Sequence, residues 1–150
     1  MSWVDVLIQI LTSFFGSLGF GILFNLRGKK LFFAAFGGFL AWSVFLLLGL
    51  WIESEVFRYF AVSSLISVYS EILARRCKTP TTTFSILSLI PLIPGGALYY
   101  TMTYALQGSD AFLPKAVYTL ELSAALSIGL LLVSASVRTW KRLRSDFRRR

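Results

Sequence analysis

No histidine occurs in this chain of 150 residues, and Cys77 is its single cysteine. The first absence removes imidazole general-base and imidazole-metal chemistry, and the second excludes a disulfide within the chain. Charge is scarce, at 15% of residues, and acid is scarcer than base, with 7 Asp and Glu against 15 Lys and Arg. No paired-carboxylate or metal-ligand motif is present, so the expectation is a protein that is not an enzyme and holds no cofactor or metal. Linkers, low-complexity tracts and internal repeats are also missing. The connections between apolar stretches run from a few to about ten residues, which predicts one compact transmembrane domain over 1–150.

What the chain has is apolar surface. With 56% hydrophobic residues and a mean hydropathy of +0.71, it carries more than a small soluble domain of this length can cover. The composition predicts an all-α integral membrane protein in the cell membrane. Five stretches approach or exceed the roughly 20 apolar residues that a spanning helix needs: 3–26, 31–52, 56–74, 84–106 and 116–137. The first lacks a basic leading segment and a cleavage site, and it is too long for a signal peptide, so it reads as a helix of a five-helix bundle.

Basic residues orient the spans. Arg27, Lys29 and Lys30 follow the first, Arg75, Arg76 and Lys78 follow the third, and seven lie between Arg138 and Arg150, whereas Arg58 and Lys115 alone occupy the alternate connections. Counted by the positive-inside rule, this puts the N-terminus out and the C-terminus in. The tail "VRTWKRLRSDFRRR" fits a basic cytoplasmic stop beside anionic lipid better than a nucleic-acid ligand.

Spacing on the spans indicates what their faces touch. Ser13, Ser17, Gly21 and Asn25 recur every four residues, as do the pairs Ala34 with Gly38 and Gly37 with Ala41. Small residues at that interval let helix backbones approach closely in lipid. The third span carries Ser64, Ser67 and Glu71, flanked by Ser63 and Ser70, and the fifth carries Ser123, Ser127 and Ser134 with Glu121 nearby. These stripes fit a water-lined cavity or protein interior, although serines also bond back to their own helix carbonyls. Thr79 and Pro80 followed by Thr81, Thr82 and Thr83 read as a turn and cap before the fourth span.

The fourth span contains "IPLIPGGALYY", residues 90–100, near its middle. Pro91 and Pro94 remove two helix donors, and each is expected to push its predecessor, Ile90 or Ile93, out of helical dihedrals. Relative to alanine, the two prolines and two glycines together cost a continuous helix about 8 kcal/mol. A break at Pro91–Gly96 is therefore expected. Irregular backbone at that depth survives where it is buried or lines a cavity, and a half-helix beginning near Gly95 would turn bare N–H groups and a positive dipole end toward a carboxylate. Beyond it, Gly96, Tyr100, Thr103 and Gln107 fall on one face that could line an exit path, with Tyr99 beside it.

The run "ILARRCKTPTTTFSILSLIPLIPGGALYYTM", residues 72–102, resembles the ThrE-like threonine/serine exporter family, specifically its small five-helix subunits. The resemblance implies export of small amino acids by a secondary transporter. It also implies a larger partner subunit with five further spans and a soluble hydrolase-like domain. On this reading Pro91, Pro94, Gly95, Gly96, Tyr99, Tyr100 and Ser67 are candidates for substrate binding, and Glu71, then Glu121, for proton coupling. An i,i+4 pair with Arg75 accounts for Glu71 equally well. An exporter of C4-dicarboxylates such as succinate and a non-transporting scaffold stand as alternatives.

Overall fold

The computed structural model describes residues 3–147, and the side chains of residues 3–140. Seven helical pieces follow one another: α1 (Trp3–Leu23), α2 (Lys29–Leu48), α3 (Glu55–Cys77), α4 (Thr81–Leu89), a 3₁₀ turn (Ile90–Leu92), α5 (Gly95–Leu106) and α6 (Phe112–Phe147). Among the described residues there is no strand. Four helices among the described residues are long and apolar enough to cross a membrane, or up to five spans result if the bent pair 81–92 and 95–106 counts as one.

Helix ends follow local chemistry rather than hydropathy. α1 stops at Leu23, short of Leu26, because Asn25 turns left-handed at φ 58° and the Leu26 N–H returns to the Gly21 carbonyl. Asn25 thus leaves the stripe of small residues on α1. α3 starts earlier than its apolar run, since the Ser54 hydroxyl accepts from the Phe57 N–H, and it runs on through its basic last turn to a left-handed Lys78. α6 continues as helix beyond 137 through Phe147, so the basic tail is not a separate element as far as that residue. The tail side chains of Lys141, Arg142, Arg144 and Arg148–Arg150 lie outside the described residues.

α1 packs on α2, and α3 on α6, with α4 against both α2 and α3. Small residues make the closest approaches. Ser13, Ser17 and Gly21 of α1 are buried, as are Ala34, Gly37, Gly38 and Ala41 of α2. A Cβ on Gly38 would collide with the Ser17 hydroxyl, one on Gly37 with that of Ser88, and one on Gly129 of α6 with that of Ser63. Two apolar clusters fill the spaces between. Phe45, Tyr59, Val62, Ile66, Leu92 and Leu122 form one, and Ala34, Leu73, Phe84 and Leu87 the other. Many other leucines and phenylalanines, among them Leu7, Phe15, Leu47 and Leu131, point outward, which costs nothing where the surroundings are lipid tails.

Tyr69 links α3 to α2 by donating its hydroxyl to the Phe33 carbonyl at 2.8 Å. Tyr69→Phe keeps the ring and removes only that bond, so it should destabilise the bundle by about 1 kcal/mol. Melting in detergent should fall by roughly 2–4 °C, read from the loss of soluble monodisperse protein on heating.

Candidate functional site

The backbone breaks at the second proline, not at the first. Ile90 keeps helical angles (φ −50°, ψ −45°) although it precedes a proline, which corrects the expectation that both predecessors leave the helix. Pro91 instead enters the first turn of the short 3₁₀ piece, where a missing N–H leaves no bond unmade. Ile93, before Pro94, is extended at ψ 124°. Pro94 then sits at φ −74°, ψ 56°, and the Gly95 N–H closes on the Ile93 carbonyl at 2.7 Å, an inverse γ-turn. The pieces on either side meet at 60°. The nine residues of α4 rise roughly 14 Å, about half of a 30 Å hydrocarbon layer.

Two different surroundings meet this break. On the Pro91 side lies a groove of about 260 Å³, lined by Gln9, Thr12, Ser13 and Gly16 of α1, Trp42 of α2, and Ile90 and Pro91. The Trp42 indole N–H donates to Gln9 Oε1 at 3.3 Å, which orients that amide at the rim. Gln9 and Trp42 form no pattern with the prolines in the sequence, and neither was among the expected site residues. On the other side Gly95 and Gly96 are exposed, and a Cβ on either would meet nothing within 4 Å. Both stand in the first turn of α5, where a helix has no carbonyls of its own to offer its amides.

α5 buries no residue. Gly96, Tyr100 and Gln107 are exposed and Thr103 is half-buried, its hydroxyl returning to the Tyr99 carbonyl at 2.9 Å. The face expected to line an exit path therefore lies on the outer surface of this chain. Tyr99 and Tyr100 stand edge to face with ring centroids 5.5 Å apart, and the Lys115 ammonium lies 5.9 Å from the Tyr100 ring centre. The polar group of α5 that does face inward is Thr101, whose hydroxyl meets that of Thr119 on α6 at 2.9 Å.

The serine stripes divide between the two roles open to them. Ser63 and Ser64 both donate to the Phe60 carbonyl, and Ser123 and Ser127 also bond back within their helix. Ser67 crosses to α6 instead, 3.3 Å from both the Leu130 carbonyl and the Ser134 hydroxyl. Ser70 is fully buried with no hydrogen-bond partner among the described residues. Glu71, 7% exposed, accepts from the Thr81 hydroxyl at 3.2 Å on Oε1, and its Oε2 lies 3.9 Å from the largely exposed guanidinium of Arg75. Both readings of Glu71 thus meet in one place, an i,i+4 pair and a buried carboxylate beside the start of α4. Glu121 faces outward from α6. The structure gathers Pro91, Pro94, Gly95, Gly96, Tyr99 and Tyr100 at the break, and sets Ser67 and Glu71 apart from them on α3. Among the described residues no three His, Cys, Asp or Glu side chains gather as a metal site would require.

These features belong to a multi-pass membrane protein with a backbone break between two bent helices and polar groups held between helices. No curated protein and no solved structure matches the chain. A family model does: the one described as threonine/serine exporter, ThrE, matches residues 9–136, which takes in the polar rim of α1, the break and most of α6. The chain belongs to the threonine/serine exporter family.

Proposed function

We propose that this chain is the five-span membrane subunit of a secondary transporter that exports threonine- and serine-like amino acids from the cell. The observation that carries the proposal is the break at Ile93 and Pro94, which opens the start of α5 on a surface with no side chain close by. α4, the 3₁₀ turn and α5 make up one discontinuous span, and the N-terminus lies outside and the C-terminus inside the plasma membrane. The substrate carboxylate meets the amides from Gly96 onward, flanked by Tyr99 and Tyr100, while the Gly95 N–H is held by the Ile93 carbonyl and shapes the turn. The side of the break left open in this chain is covered by a larger subunit that supplies five more spans. Glu71 carries the coupling proton, with Glu121 as its substitute.

A direct test loads cells with a threonine- or serine-containing dipeptide and follows efflux of the free amino acid. The chain alone, a candidate larger subunit alone and the two together are compared at equal expression. Efflux from the pair should exceed that of either alone by at least about fivefold. Assembly of the two without export of amino acid or succinate would reject transport and leave a scaffold, and export of succinate alone would reject the amino-acid substrate.

A further inference from the structure

On the topology proposed above, Arg58 and Lys115 are the basic residues of the outer connections. Arg58 is packed away on α2, its guanidinium 4.8 Å from the Phe45 ring centre and close enough to Gly49 that a Cβ there would collide with it. Lys115 is placed differently. Half-buried in the first turn of α6, its ammonium stands over two rings, 4.9 Å from the centre of Tyr118 and 5.9 Å from that of Tyr100. Among the described residues it has no carboxylate partner, because Glu55 accepts from the Tyr118 hydroxyl instead. An ammonium carries three N–H donors, and ring faces take up its charge without supplying the lone pairs that those donors seek. Lys115 thus keeps its capacity for an anionic oxygen.

Its place relative to the break is fixed by the contact between α5 and α6. Thr101 meets Thr119 at 2.9 Å, and the Thr119 hydroxyl returns to the Lys115 carbonyl at 2.9 Å, which holds the two helices in register. Tyr100 lies one turn after Gly96, about 6 Å along the axis, and both are exposed. Side chains on a helix lean toward its N-terminus, so the Tyr100 ring covers the turn that Gly96 begins. An ammonium beside that ring is therefore the next positive group a carboxylate meets on leaving the first amides of α5.

We propose that Lys115 is a further substrate-binding residue, which takes the carboxylate from the amides at Gly96 and holds it at the outer mouth before release. A full negative charge with lone pairs competes well against ring faces for an ammonium, and the flexible lysine stem lets the head turn to it. Tyr100 and Tyr118 keep that head in place between guests. The same chemistry suits the phosphate of a lipid, so the test below separates the two anions. The assignment rests on reading the chain as an exporter with its N-terminus outside.

Exchange of radiolabelled L-threonine, measured with both subunits in right-side-out and in everted membrane vesicles, tests it one face at a time. K115Q should raise the half-saturating concentration at the outer face by at least about tenfold, the loss expected for a charged hydrogen bond, and leave that at the inner face within about twofold. K115R, which keeps the charge, should stay within about threefold of wild type on both faces. Should K115Q fail to accumulate, K115M keeps the stem against the rings and takes its place. Enriching the right-side-out vesicles in phosphatidylglycerol should leave the deficit unchanged. A deficit that follows phosphatidylglycerol content would give Lys115 to a lipid phosphate and overturn the assignment. Equal losses on both faces would do the same, since they mark damage to packing. Wild-type exchange at the outer face by K115Q removes Lys115 from the path and leaves the transport reading standing. Wild type that exchanges no L-threonine in either preparation rejects that reading, and the role of Lys115 with it.

Discussion

Gly96→Leu should reduce threonine export by at least about tenfold while the protein accumulates in the membrane at its normal level. A Cβ built at Gly96 meets nothing within 4 Å, and its φ is not in the left-handed region that favours glycine, so the side chain enters without displacing a neighbour. Leucine also raises helix propensity over glycine by about 0.8 kcal/mol, which favours the fold. What leucine removes is access to the amides at the start of α5, and a lost charged hydrogen bond is worth about 1.5–3 kcal/mol, or tenfold and more in affinity. Gly38→Leu is the contrasting case, because its Cβ collides with the Ser17 hydroxyl and lies close to the Ser13 carbonyl, and this variant should be lost from the membrane altogether. Efflux is measured at matched expression, together with recovery of the larger subunit on purification. Export by Gly96→Leu at the wild-type rate defeats the amide site. Loss of the partner from this variant, with substrate binding intact, would make the break an interface instead.

The features most legible in the sequence are those enforced by spacing or by a missing atom. Ser13, Ser17 and Gly21 line the α1–α2 contact because a four-residue interval returns to one helix face. A disturbance near Pro94 was legible because proline carries no amide hydrogen and restricts the residue before it. The contribution of Pro91 was not, since two prolines three apart look alike until one of them falls into the first turn of a new helical piece, where nothing is lost. Helix ends were misplaced by a few residues because Ser54 and Lys78 close α3 through side-chain and left-handed caps, which hydropathy does not register. Contacts between distant helices were hidden altogether. Nothing in the order of residues ties Gln9 to Trp42, Thr101 to Thr119, or Arg138 to the cavity that Glu71 and Thr81 also line. Those pairings depend on which helix lies beside which, and one chain carries no periodic signal for that. The stripe that did show, Ser64 to Glu71, proved to be divided, with Ser64 bonding back to its own helix and Ser67 reaching across to α6.

Glu71→Gln should abolish the dependence of transport on a pH gradient. In everted membrane vesicles made with both subunits, an acid interior should drive uptake of L-serine by the wild type several-fold above the level without a gradient, since the interior corresponds to the cell exterior. A carboxylate that binds either a proton or the substrate ammonium, and not both, exchanges one for the other, and this is the simplest way a proton moving inward drives an amino acid outward. The groups around Glu71 suit such an exchange. Arg75 on its own helix lies 3.9 Å from it, and the Thr81 hydroxyl of α4 donates to it. Glutamine retains the size and the hydrogen bond from Thr81 but neither takes up a proton nor carries charge, so residual uptake should be weak and indifferent to the gradient. Glu121→Gln is the necessary companion, because Glu121 is exposed on α6 and does not line the cavity beside Glu71. Gradient-driven uptake that survives in Glu71→Gln and disappears in Glu121→Gln would move the coupling to the outer carboxylate. Survival in both would place the titrating group on the larger subunit.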